Sequence, residues 1–228
     1  MADVGQTGAA GVYWRLREYF GHRNWWPADD PFEILVGAIL TQNTAWTNVE
    51  KAMARLREQG RLNPGALLDL PEPQLAELIR SSGYYNIKAS RLRALLSVLR
   101  EDGGLDGWRD HETAALRARL LAVRGVGEET ADSILLYALG RPVFVIDAYT
   151  RRIFSRLGLV SGDESYRELA EWFERQLTAD VDLYQDFHAQ IVTLGNGICR
   201  PAPRCEQCPL AAGCPQRGIQ PRPASARG

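Results

Sequence analysis

Cysteine is scarce in this chain and confined to one place: there are four, with none before Cys199. That distribution excludes a disulfide framework for most of the molecule. Histidine is almost as rare, and His22, His111 and His188 lack metal-ligand spacing, so all three read as structural. Neither charge sign is in excess, since 27 Lys and Arg face 28 Asp and Glu for a net charge of −1. Bulk charge therefore makes no case for a polyanionic partner, although a local basic face depends only on placement. No apolar run approaches the ~20 residues of a membrane span, and no membrane partner is expected. Met1 to Ala10 has neither the basic start nor the apolar stretch of a secretory signal, so a reducing cytoplasm is expected. Strand-like runs are missing too. Only Val143-Phe144-Val145-Ile146 reads as strand, and four residues without a partner run make a poor sheet.

Helical periodicity fills the rest, which predicts an all-α protein. Ile34 to Leu40 is apolar on every side, as in a buried central helix. Val49, Met53 and Leu56 line one face of the next, and Ala89, Leu92, Leu96 and Leu99 one face of another. Ala131, Ile134, Leu135 and Ala138 repeat the pattern, as do Leu169, Trp172 and Phe173, then Tyr184, Phe187, Ile191 and Leu194. At 228 residues the chain has room for one or two domains. Residues 1–10 and 216–228, rich in small residues or in Pro, Arg and Ser, are expected to be loose ends.

The four cysteines fall within sixteen residues as Cys199-x₅-Cys205-x₂-Cys208-x₅-Cys214. Reduced thiols gathered this tightly are metal ligands, and both Zn²⁺ and an iron–sulfur cluster accept four thiolates. Structural zinc usually uses two short Cys-x₂-Cys knuckles. One short knuckle between two longer arms better suits a [4Fe–4S] cubane, with zinc as the alternative and a disulfide set as a distant third.

A second feature is Leu120 to Asp132, LLAVRGVGEETAD, in which a helix ends, Gly125 and Gly127 make a tight turn, and a new helix starts. Both glycines can take φ > 0 and let backbone approach a ligand, and a helix start offers free N–H groups. Such a turn can hold a phosphate without reading sequence, or it is a plain helical corner. Asp147 follows the apolar run and precedes a helix with basic Arg151, Arg152 and Arg156. A carboxylate there is either an N-cap or a catalytic group at a domain junction.

Gly125-Val126-Gly127, Asp147, Leu40-Thr41-Gln42, Tyr85-Asn86-x-Lys88-Ala89 and the cysteine cluster together resemble the endonuclease III branch of the helix–hairpin–helix DNA glycosylases. The resemblance spans about residues 30 to 215. It implies two helical lobes with damaged double-stranded DNA bound across a cleft, and a monomeric, nucleoid-associated enzyme. One lobe would be a six-helix bundle with the hairpin, residues 30–141. The other would be discontinuous, 11–29 with 142–215, and would carry the iron–sulfur loop. The first cysteine arm is one residue shorter than the family's usual six. Asp147 would stabilise positive charge on the sugar and orient the attacking water. Gly125, Val126 and Gly127 would bind DNA backbone, and Gln42 would fill the gap left by a flipped base.

Departures narrow the expectation. The slot that carries an imine-forming lysine in strand-nicking members is Glu129, and a carboxylate forms no imine. A monofunctional base-excision glycosylase follows, leaving an abasic site. Trp25, Trp26 and Trp46 around the first bundle helix, with Glu129-Thr130-Ala131-Asp132, are similar to the 3-methyladenine DNA glycosylase III subgroup, in which aromatics line the base pocket. Cationic alkylated purines suit π faces and a nearby carboxylate. The subgroup's lysine two residues after His188 is Gln190 here. Trp14, Trp108 and Trp172 are expected in the core. A glycosylase for oxidised pyrimidines or mispaired bases, and a DNA-binding module without catalysis, remain the alternatives.

Overall fold

The computed structural model describes residues 4–28 and 30–219. It has α-helices α1 (Val4–Phe20), α2 (Pro31–Leu40), α3 (Trp46–Glu58), α4 (Pro64–Asp69), α5 (Glu72–Leu78) and α6 (Tyr85–Glu101). They are followed by α7 (Gly104–Asp110), α8 (Thr113–Leu121), α9 (Glu128–Ser133), α10 (Ala148–Arg156), α11 (Tyr166–Glu174) and α12 (Val181–Gly197). Among the described residues there is no strand, and no helix is long and apolar enough to cross a membrane. The fold is all-α. Val143 to Ile146 forms no strand; Phe144, Val145 and Ile146 are apolar because they are buried in the segment that leads to α10.

The chain folds into two compact units. One is Trp26–Val145; the other is Met1–Trp25 with Ile146–Gly228. In the first, Asp30 caps α2 by accepting from the Phe32 N–H, and Pro31 sits at the first helical turn, where its missing N–H costs nothing. Every residue from Ile34 to Leu40 is buried, as its uniform apolarity requires. Packed around it, the predicted apolar faces of α3 and α6 are buried too. Lys88 is the exception in this core. Its Nζ donates to the carbonyls of Leu40 (2.8 Å) and Ser82 (2.6 Å), tying off the end of α2, while burial, helped by Arg91, lowers its pKa to about 8.

In the second unit α12 is the axis. Tyr184, Phe187, Ile191 and Leu194 are buried along it, against α1 and α10. Asp186, fully buried on α12, accepts from the Arg17 guanidinium (2.8 Å), the Tyr13 hydroxyl (3.1 Å) and the Arg23 N–H (2.7 Å). α1 begins at Val4, inside the stretch 1–10 expected to be loose, with a kink at Gly8 (φ 58) and Ala9 buried. Residues 1–3 and 220–228 of the expected ends lie outside the described residues. Trp108 is buried as expected and Trp172 is half-buried, but Trp14 is 62% exposed. The reason is periodicity: Ala9, Val12, Tyr13 and Leu16 form the buried stripe of α1, and Trp14 falls on the other side.

Candidate functional site

In the Trp26–Val145 unit, the turn between α8 and α9 forms the predicted hairpin. Gly125 has φ +90, and a Cβ there would meet the Arg91 side chain at 2.3 Å, so glycine is required. Gly127 differs from expectation. It caps α9 in extended conformation (φ −96, ψ −179), with nothing within 4 Å of where a Cβ would stand. Val126 turns its side chain inward and gives its N–H to the Val123 carbonyl. What the hairpin presents outward is Gly127, with Glu129 exposed on the first turn of α9.

Gln42 reaches the hairpin from the end of α2. Its Nε2 donates to the Gly125 carbonyl (3.1 Å) and to Thr130 Oγ1 (3.0 Å), while its Oε1 accepts from Arg91 (2.6 Å). Both ends of the amide are thus engaged, and Gln42 is part of the hairpin's support. Behind α9, Asp132 is buried in a two-point pairing with Arg117, at 2.7 and 3.0 Å. A basin beside the hairpin is lined by Asn86, Ile87, Ser90, Arg91, Arg124 and Gly125. Arg124 donates to Ser90 Oγ there. At the head of α6, Tyr84 is 69% exposed with left-handed backbone (φ 46). Arg124 precedes Gly125 in the chain, but Arg91 and Tyr84 were not singled out by the sequence; only the fold sets Arg91 next to Gly125 and brings Tyr84 to the surface.

Trp26 stands edge-on to Trp46 (5.1 Å) and tilted to Tyr137 (5.4 Å), and it lies against Gly37, where a Cβ would come within 2.9 Å of the ring. Trp25 is half-buried and ends the first segment of the other unit. Tyr137 belongs to a π-helical turn, Ile134–Ala138, that continues α9. Such turns are rare and often mark functional sites. In sequence Tyr137 is indistinguishable from core.

In the other unit Asp147 is an N-cap, and more. Its Oδ1 accepts from the Thr150 N–H (2.6 Å) and the Thr150 hydroxyl (2.8 Å), and the Asp147 N–H donates back to Thr150 Oγ1 (3.4 Å), closing a capping box at the start of α10. Its Oδ2 lies 3.6 Å from His188 Nε2 on α12, with both side chains about nine-tenths buried. Burial pushes the carboxyl upward, but the His188 and Thr150 interactions outweigh it and hold Asp147 below the ordinary carboxylate range. His188, expected to be merely structural, is Asp147's neighbour. Gln190 donates from Nε2 to the Gly21 carbonyl (2.6 Å) and to Asp186 (3.2 Å), so it braces the chain after α1.

Cys199, Cys205, Cys208 and Cys214 are free, half-buried and line one pocket with Ile153, Leu194 and Leu210. Burial, reinforced by the charges of the other three thiols, pushes Cys208 up to about 11; burial, reinforced by Cys199 and Cys205, raises Cys214. Arg156 donates to Cys199 Sγ (3.4 Å) and to the carbonyls of Arg200 (2.6 Å) and Pro201 (3.0 Å). Among the described residues no group of three or more Cys, His, Asp or Glu side chains is placed to hold a metal ion. The four thiols are the soft donor set that both zinc and an iron–sulfur cluster accept.

The model of the HhH-GPD superfamily base excision DNA repair proteins matches residues 36–178. A putative DNA repair glycosylase of Methanocaldococcus jannaschii is 46% identical over 206 residues, covering 89% of this chain and 94% of that protein. A non-covalent endonuclease III–DNA complex superposes with a TM-score of 0.79 at 25% identity, covering 95% of this chain and 97% of that one. The Helicobacter pylori 3-methyladenine DNA glycosylase bound to 1,N6-ethenoadenine superposes with a TM-score of 0.73 at 29% identity, covering 82% and 96%. A hairpin with an obligatory left-handed glycine, a buried carboxylate capping a later helix and the matched span of 36–178 agree: the chain belongs to the HhH-GPD superfamily of base-excision DNA repair glycosylases.

Proposed function

We propose that this protein is a monofunctional DNA glycosylase that hydrolyses the N-glycosidic bond of alkylated, cationic purines and leaves an abasic site. The observation that carries the reading is Glu129, a carboxylate exposed on the first turn of α9 where an imine-forming amine would be needed for strand cleavage. The sequence has two lysines, Lys51 and Lys88, and Lys88 Nζ is buried and bonded to two carbonyls. The aromatic group of Trp26, Trp46 and Tyr137 supports the substrate class, because a π face attracts a cation by about 0.5–2 kcal/mol. A relative of known structure that holds 1,N6-ethenoadenine, an alkylated purine without a charge, supports the purine part of that class.

DNA would be gripped at the hairpin by sequence-independent contacts: backbone at Gly125 and Gly127, with Arg91 and Arg124 supplying positive charge beside them. Exposed Tyr84 offers a ring on which a base can stack. Asp147 would steady the oxocarbenium-like sugar and orient the water that attacks it. Its lowered pKa keeps it anionic through the neutral range. A base already carrying positive charge is a good leaving group, so the missing general acid costs little. Cys199, Cys205, Cys208 and Cys214 would hold a [4Fe–4S] cluster, whose contribution when bound is to cross-link a loop with little core of its own.

The test is a panel of duplexes carrying methylated purines, oxidised pyrimidines or mispairs, assayed with and without alkali and with borohydride. Methylated purines should be released fastest, strands should break only after alkali, and no covalent adduct should be trapped. Preference for an oxidised pyrimidine together with a borohydride adduct overturns the reading. Tight lesion binding without any base release leaves a binding module instead.

A further inference from the structure

Asp147 has two oxygens and they are not equivalent. Oδ1 is spent on the capping box, taking both the N–H and the hydroxyl of Thr150. Oδ2 is left as the oxygen that can meet a reacting sugar or water, and His188 Nε2 lies 3.6 Å from it. An ionised carboxylate offers only lone pairs. Its charge favours the hydrogen on the ring nitrogen facing it, whichever charge the imidazole bears. The separation is longer than an ordinary hydrogen bond, and it leaves Oδ2 room to accept a second partner.

Several ionisable groups on the packed elements have partners of their own. On α10, Arg151 donates to the carbonyls of Gly162 and Glu164, and Arg152 to those of Gly195 and Cys199. On α12, Asp186 is held by Tyr13 and Arg17. On α11, the Tyr166 hydroxyl takes the Ile146 N–H. His188 is set against Oδ2, and the two helices that carry the pair are packed directly together. Tyr149 lies over Gly195, where a Cβ would fall 2.4 Å from its ring, so α10 cannot slide along α12 without changing this pairing.

We propose that His188 is a positioning residue for base excision: its Nε2–H steers Oδ2 of Asp147 and holds that oxygen as the anionic face presented to the sugar. This rests on the glycosylase reading above. His188 touches no reacting atom; it acts through Asp147. The histidine-to-carboxylate vector decides which of the two oxygens is free, and a carboxylate rotated about its capping bonds would present its charge in the wrong direction.

The experiment compares His188→Phe, which keeps ring volume without a donor, with His188→Gln, which keeps an N–H donor. Two readouts are taken: the Asp147 carboxyl titration by carbon NMR, assigned with Asp147→Asn, and the acid limb of single-turnover excision of a methylated purine. In His188→Phe both should move to higher pH, because burial then acts with less opposition. The plateau rate should fall about 10- to 100-fold, with affinity for lesion DNA changed less than about threefold. His188→Gln should recover most of the rate and restore both pH values. Should His188→Phe fail to fold, His188→Asn, whose amide stops short of Oδ2, takes its place. An unmoved titration and acid limb overturn the proposal, as does loss of affinity in step with rate. If the native protein releases no base at all, the glycosylase reading fails, while the carboxyl titration still decides whether His188 governs Asp147.

Discussion

The bland and the catalytic accounts of Asp147 are compatible, because each uses a different oxygen. One substitution separates them. Asn is as good an N-cap as Asp, so Asp147→Asn keeps the Thr150 contacts and removes the charge. Melting temperature should change little, while base release should fall roughly 10²-fold or more, as expected for loss of an electrostatic or general-base contribution. Lesion binding should be kept. Equal excision by the variant returns Asp147 to a structural role. The pH dependence follows from its lowered folded pKa. Its stabilisation is complete above the ordinary carboxyl value and is lost as pH falls through the lowered one, so activity and stability should both persist into mildly acidic solution. Asp147 was legible in the sequence as one of two things. His188 was not legible as its neighbour, because the two are 41 positions apart and the packing of α10 on α12 is what brings them together. Arg91 and Tyr137 were hidden for the same reason.

Helices were the readable scale. Their apolar stripes predict the buried faces of α2, α3, α6 and α12 because periodicity is a local property. Turn geometry is not local in that way. The two hairpin glycines look alike in sequence, yet only Gly125 needs to be glycine. Gly125→Ala must adopt φ +90 and displace Arg91, which also holds Gln42. It should cost about 1–2 kcal/mol in urea unfolding and weaken DNA binding. Gly127→Ala, in an open extended position, should stay within about 1 kcal/mol of the parent, in line with ordinary N-cap exchanges. Equal losses in the two variants would mean that space and dihedral angle at Gly125 do not govern the hairpin. The apolar run 143–146 reads as strand for a related reason, and only its lack of a partner run argues against a sheet: burial of a connector and burial of a strand leave the same mark on four residues.

At the scale of the whole molecule, the segment from Cys199 to Cys214 is the part least able to hold itself. Among its described residues are two single turns of 3₁₀ helix, Cys205–Gln207 and Ala211–Gly213, and one buried apolar side chain, Leu210. Its order is borrowed from α10, through Arg156 to the Cys199 sulfur and the next two carbonyls, and through Arg152 to the carbonyls of Gly195 and Cys199. The same helix begins at Asp147. A metal group bound by the four thiols would therefore stabilise the loop and, through it, the register of the helix that carries the proposed catalytic carboxylate. Purified protein should be brown, with broad visible absorption and about four irons per chain; a colourless protein holding one zinc overturns that assignment. Cys205→Ala should lose colour and iron, and hydrogen exchange should speed up in the unit from Ile146 onward before it does in Trp26–Val145. Excision should decline in proportion to the folded fraction of that unit, since the cysteines brace the site and do not act on the base. A variant that loses its iron but keeps native exchange rates and full excision would show instead that Arg152 and Arg156 suffice to hold the loop.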